Sequence, residues 1–101
     1  MTTLADILAE ITAERARQDA KFGEQNHPDG TGEIYRRDAD LARDRCQRAH
    51  RRGGLTFQHI LDEEVAEAYA ESDPAKLREE LVQVAAVAVA WIEAIDRRET
   101  P

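Results

Sequence analysis

The residues best placed to do chemistry are carboxylates. Glu64 and Glu67 stand three apart, and Glu80 and Gln83 repeat that spacing after a gap of twelve residues. At about 100° per residue, Glu64, Glu67 and Glu71 fall in one narrow helical stripe with Ile60 and Ala68. Glu80 and Gln83 share a stripe with Val84 and Val87 on the next helical segment. Between the segments, Ser72-Asp73-Pro74 is short enough to fold two helices antiparallel with those stripes facing. Asp62, Glu63 and Glu79 fit a solvated acidic face, whereas Glu80 and Gln83 lie among Leu81, Val82, Val84 and Val87. Carboxylates crowded at a partly buried helix interface repel one another and lose hydration, so a divalent cation is what makes the arrangement stable. Oxygen ligands with no Cys or His cluster nearby favour Mg²⁺, with Mn²⁺ as a substitute, over zinc.

The elements that must position these groups are helices. No stretch alternates apolar and polar residues as a strand does. Thr3 and Asp6 mark a first helix start, and Leu4, Ile7, Leu8 and Ile11 follow as an apolar stripe running on to about Lys21. A polar loop holds Gly23, Pro28, Gly30 and Gly32. The second helix begins near Tyr35, carries the small residues Ala39, Ala42, Cys46 and Ala49 inward, and stops at Gly53-Gly54. Thr56 caps a third helix, Phe57 to about Ser72. Pro74 opens a fourth that reaches about Arg97. Along that fourth helix Leu77, Leu81, Val84, Ala88, Trp91 and Ile95 form one stripe, and Val82, Val87, Val89 and Ile92 fill most other faces. A helix apolar nearly all round must be covered nearly all round, which three short, charged helices cannot do. The expectation is an all-α bundle of about four helices in one domain, residues 1–101, completed by homo-oligomerisation as a dimer or tetramer.

Composition narrows the function classes. The chain has 101 residues, 42% hydrophobic and 35% charged, too apolar for disorder and too charged for a membrane protein. Its longest apolar run, Leu81 to Ile92 interrupted only by Gln83, is shorter than the roughly 20 residues of a bilayer span. Asp6 and Glu10 interrupt any signal-like opening, and Cys46 stands alone, so a cytoplasmic location is expected and no disulfide forms within the chain. The net charge of −7 argues against nucleic acid as a partner. It also conceals two opposed blocks. Residues 36–52 hold seven arginines against three aspartates, a local +4, and residues 59–80 hold eight carboxylates against Lys76 and Arg78, a local −6. The arginines either balance the acidic helices, within a chain or across a dimer, or, less simply, attract a triphosphate.

The first helix carries a second oddity. Continuing its apolar stripe by steps of four and three reaches Arg15, Gln18 and Phe22, so polar groups take over the inward face and an aromatic ends it. Either this half lines a pocket, with Phe22 stacking on a base, Gln18 bonding its edge and Arg15, Arg17 or Lys21 reaching a phosphate, or the helix end projects into solvent. Asn26 and His27 in the following loop are further candidates for base or ribose contacts, or else plain turn residues.

Glu64-x-x-Glu67, twelve residues, then Glu80-x-x-Gln83 resembles the ExxE…ExxD signature of the MazG-like all-α nucleoside triphosphate pyrophosphohydrolases. Residues 61–67, residues 77–93 and the upstream segment 14–28 are similar to the short, single-domain phage and bacterial members. The resemblance spans most of the chain except the second helix. It implies hydrolysis of a nucleoside or deoxynucleoside triphosphate between its α and β phosphates, Mg²⁺ held by Glu64, Glu67, Glu80 and Gln83, and a dimer or tetramer. It also favours the pocket reading of Arg15, Gln18, Lys21 and Phe22, because the family binds its base beside the end of that helix. One ion polarises phosphate oxygens while a nearby glutamate, Glu64 or Glu67, takes the proton of the attacking water. Gln83 departs from the motif aspartate and brings no charge. It coordinates through its carbonyl, cedes its place to Glu63 or Glu79, or marks a degenerate relative that binds nucleotide or a protein without turnover.

Overall fold

The computed structural model describes residues 2–99. Among these the chain is all-α, without a strand: α1 Leu4–Phe22, a 3-10 turn at Glu33–Tyr35, α2 Arg36–Arg51, α3 Phe57–Ala70 and α4 Pro74–Glu99. The boundaries follow the expected ones closely, and α3 stops at Ala70, short of Ser72.

Side chains fix the helix starts. Thr3 Oγ1 accepts from the Asp6 N–H at 3.1 Å, and the Asp6 carboxylate accepts from the Thr3 N–H at 3.0 Å. Those bonds hold the Asp6 carboxyl below its ordinary range. At α3 the reciprocal partner is a histidine: Thr56 Oγ1 accepts from the His59 N–H at 3.2 Å, and the Thr56 N–H donates to His59 Nδ1 at 3.1 Å. Asp73 caps α4 by accepting from the Lys76 N–H at 3.0 Å, directly before Pro74 at the first helical position. After α2 the chain turns at Gly53, whose φ of 74° is strained for any side chain.

The backbone divides into two compact units. The unit Gly30–Ala88 contains the 3-10 turn, α2, α3 and the first part of α4. Here α2 packs on α3, and the 3-10 turn packs on both. The buried side chains are small, namely Ala39, Ala42 and Cys46 of α2 and Ala68 and Ala70 of α3, with Leu77 of α4. Ala39, Ala42 and Cys46, three and four apart on α2, allow close helix approach but bury little area, so polar ties matter. The Gly32 N–H donates to the Tyr69 carbonyl at 2.9 Å and the Thr31 hydroxyl to the Glu71 carbonyl at 2.7 Å. These bonds hold the loop to the end of α3, where the Tyr35 and Tyr69 rings lie 6.4 Å apart and tilted. Further along α4 in this unit, Leu81 and Val82 are 51% and 56% exposed.

The other unit comprises residues 2–29 and 89–99 and so holds α1, the loop after it and the last part of α4. On α1 only Ile7 of the expected stripe is buried, while Leu4, Leu8 and Ile11 are exposed. Among the described residues no helix is long and apolar enough to cross a membrane.

Candidate functional site

In the Gly30–Ala88 unit, α3 presents Glu64 and Glu67, and α4 presents Glu80. All three are half-buried. Burial raises the Glu64 carboxyl above its ordinary range, followed by the negative charges of Glu80, Glu63 and Glu67. Burial likewise raises Glu80, helped by Glu67, Glu71 and Glu79 and opposed by Arg36. Glu64 thus feels the charges of Glu67 and Glu80, and Glu80 feels that of Glu67. Desolvation and like charge both act here, as the spacing predicts.

Glu67 has partners that sequence reasoning did not assign to it. Arg36 Nη1 donates to Glu67 Oε2 at 3.1 Å, and Arg43 Nη1 lies 3.7 Å from Oε1. The bond to Glu67 raises the Arg36 guanidinium, with the Glu33 and Asp40 charges as smaller contributors. Thus two arginines of α2, Arg36 and Arg43, balance one carboxylate of α3 within the chain. The sequence shows that Arg36 and Arg43, seven residues and two helical turns apart, share a face of α2, but not which carboxylate that face meets.

Gln83 differs from expectation. It is exposed, because its flanking residues Leu81 and Val82 are themselves uncovered and supply no apolar surroundings. Among the described residues no three His, Cys, Asp or Glu side chains converge as a ligand set for a metal ion. The donor chemistry of Glu64, Glu67 and Glu80 suits a hard cation, but Glu67 is turned to Arg36 and Arg43. Behind this face, Cys46 packs as the small residue its spacing indicates. Its thiol is pushed up to about 11, first by burial, then by the hydrogen bond to Glu63 and the charges of Glu63 and Glu64.

The α1 candidates lie in the other unit. Gln18, Lys21 and Phe22 line an open groove of about 470 Å³ with Glu14, Arg17 and Gln25. Phe22, Asn26 and His27 line a second of about 400 Å³ with Glu24 and Gln25. The polar turn of α1 therefore borders concave surface, and Phe22, 61% exposed, belongs to both grooves. The Lys21 ammonium sits 5.2 Å from the centre of the Phe22 ring. Arg15 lines neither groove; its guanidinium donates to Gln18 Oε1 and Asp19 Oδ1, each at 2.8 Å.

No protein-family model, characterised protein or solved structure matches this chain.

Proposed function

We propose that this chain is a Mg²⁺-dependent nucleoside triphosphate pyrophosphohydrolase that releases a monophosphate and pyrophosphate. The observation that carries the reading is the crowding of Glu64 and Glu80, from two helices, whose carboxyls are both raised by burial and like charge. Such groups hold a cation well and are poised to exchange protons. Glu64, Glu67 and Glu80 would hold the ion, with the neutral carbonyl of Gln83 as the fourth oxygen. Bound there, Mg²⁺ supplies charge neutralisation for the phosphate oxygens. Glu67 must then loosen its bonds to Arg36 and Arg43, which frees two guanidinium groups beside the carboxylates. Either Glu64 or Glu67 accepts a proton from the water that attacks the α-phosphorus as pyrophosphate leaves. In the α1 unit, Phe22 offers a stacking face, Gln18 an amide, Lys21 a cation, and Asn26 and His27 flanking polar groups.

A homo-oligomer accompanies this reading. Leu4, Leu8 and Ile11 in one unit, and Leu81 and Val82 in the other, are exposed apolar side chains that a second copy of the chain would cover. A partner over Leu81 and Val82 would also enclose Gln83. Sedimentation at several concentrations tests this directly, and a monomer throughout would refute it.

The functional test is incubation with each ribo- and deoxyribonucleoside triphosphate plus Mg²⁺, with pyrophosphate release as readout. Release from at least one triphosphate, abolished without the metal, is the expected result. The second reading is a degenerate relative that binds nucleotide or a protein without turnover. The exposed Gln83 and the arginine-held Glu67 favour it, and triphosphate binding without release would select it.

A further inference from the structure

The geometry points to a second site, independent of the carboxylates: a phosphate-anion pocket formed by Arg45 and Arg48 of α2 and Arg52 at its C-cap, with His59 of α3. These four side chains and Ala49 line a concavity of about 220 Å³ within the Gly30–Ala88 unit. Arg45, Arg48 and Arg52 lie at steps of three and four, so they form one stripe. Arg45 is two residues beyond Arg43, about 200° round the helix, which puts this stripe on the opposite flank of α2 from Arg36 and Arg43. The two flanks meet different chemistry. Arg36 and Arg43 are spent on Glu67, whereas among the described residues Arg45 and Arg52 have no carboxylate partner, and Arg48 has only Asp44 at 3.4 Å. No acidic residue lines the pocket.

His59 adds a donor of defined sense. Its Nδ1 accepts the Thr56 N–H, so the ring proton of the neutral imidazole resides on Nε2. His59 also belongs to the first turn of α3, and the positive end of that helix therefore adjoins the pocket. The carbonyls at the end of α2 do not oppose an anion freely: those of Arg48, Ala49 and His50 accept from Arg52, Gly54 and Gly53. Solvation of an ordinary basic helix end would need neither the histidine nor the concavity. Guanidinium forks lining one concavity with a histidine match the oxygens of a small phosphate or pyrophosphate. Polymeric nucleic acid fits less well, since the flanking acidic helices and the net charge of −7 repel a long backbone.

The test uses inorganic pyrophosphate titrated into the ¹⁵N-labelled full chain, in buffer stripped of divalent metal and held at constant ionic strength. Amide shifts centred on Arg45, Ala49, Arg52 and His59 are expected. Replacing both Arg45→Ala and Arg52→Ala should weaken binding about tenfold or more, while Arg36→Ala leaves it within about twofold. Arg45→Lys with Arg52→Lys, which keeps the charge, controls for folding and should bind between the two. Shifts centred on α1 or on the carboxylates, or an affinity unchanged in the double alanine variant, would overturn the assignment. So would a single-stranded oligonucleotide that binds more tightly than pyrophosphate at equal phosphate concentration. Because no metal is present, loss of pyrophosphate binding and absence of triphosphate hydrolysis are separate failures.

Discussion

Along α1 the ion pairs close within one helix: Arg15 with Asp19 at 2.8 Å and Arg17 with Glu14 at 2.7 Å. Arg43 and Arg48 of α2 make the same kind of local pair with Asp40 and Asp44, but Arg36 and Arg43 also reach across to Glu67 of α3. The first kind needs only helical geometry and persists in an isolated helix. The second exists only when α2 and α3 are packed, so it ties charge to tertiary structure. Charge on α1 is thus a property of a segment, and charge on α2 and α3 is a property of the fold.

The hardest strike at this contrast is Glu67→Ala. Pyrophosphate release is expected to fall about 10²–10⁴-fold, with helical content by circular dichroism retained. Full activity would return Glu67 to a purely structural role beside Arg36 and Arg43. Next, Ala42→Leu overfills the buried side of α2 and should cost about 1–3 kcal/mol in urea unfolding. Ala16→Leu on exposed α1 should stay within about 0.5 kcal/mol.

Acidity probes the same face. Glu64 and Glu80 bind protons more tightly folded than unfolded, so their contribution is fully present below the unfolded value and is lost as pH rises through the raised folded one. Compared with a Glu64→Gln, Glu80→Gln variant, the natural chain should therefore gain relative stability as pH falls from neutrality, read from melting temperatures across that range. Arg36→Ala is a smaller change, at most about 1 kcal/mol because the pair is partly solvated. It should still push the Glu80 carboxyl further up, since Arg36 opposes that rise, and carboxyl-detected NMR titration reads this directly. Last, Arg15→Ala should alter stability by only about 0.2–0.5 kcal/mol; a larger loss would mean that α1's pairs are not merely local.

What was legible in the sequence follows the same division. Thr3 with Asp6, Thr56, and Asp73-Pro74 announce helix starts because a cap depends on neighbours three residues away. Ala39, Ala42 and Cys46 announce a buried side of α2 by period alone. The placement of the carboxylates was readable in part, since the stripes of α3 and α4 follow from spacing and their joining turn is short. The Arg36–Glu67 bond was not, because its partners are 31 residues apart and only the packing of α2 on α3 selects that pair among several arginines and glutamates. Exposure of Gln83 was misjudged for a related reason. Apolar neighbours in sequence make a side chain buried only where another surface covers them, and Leu81 and Val82 remain open within the chain.

Cys46 offers a practical dividend. Its sulfur is enclosed beside α3 and its proton is held firmly, so an alkylating reagent meets a reactive thiolate only during excursions that part the two helices. With one such sulfur in the whole polypeptide, labelling speed becomes a stopwatch for that breathing motion, and anything that clamps the pair together should slow its hand.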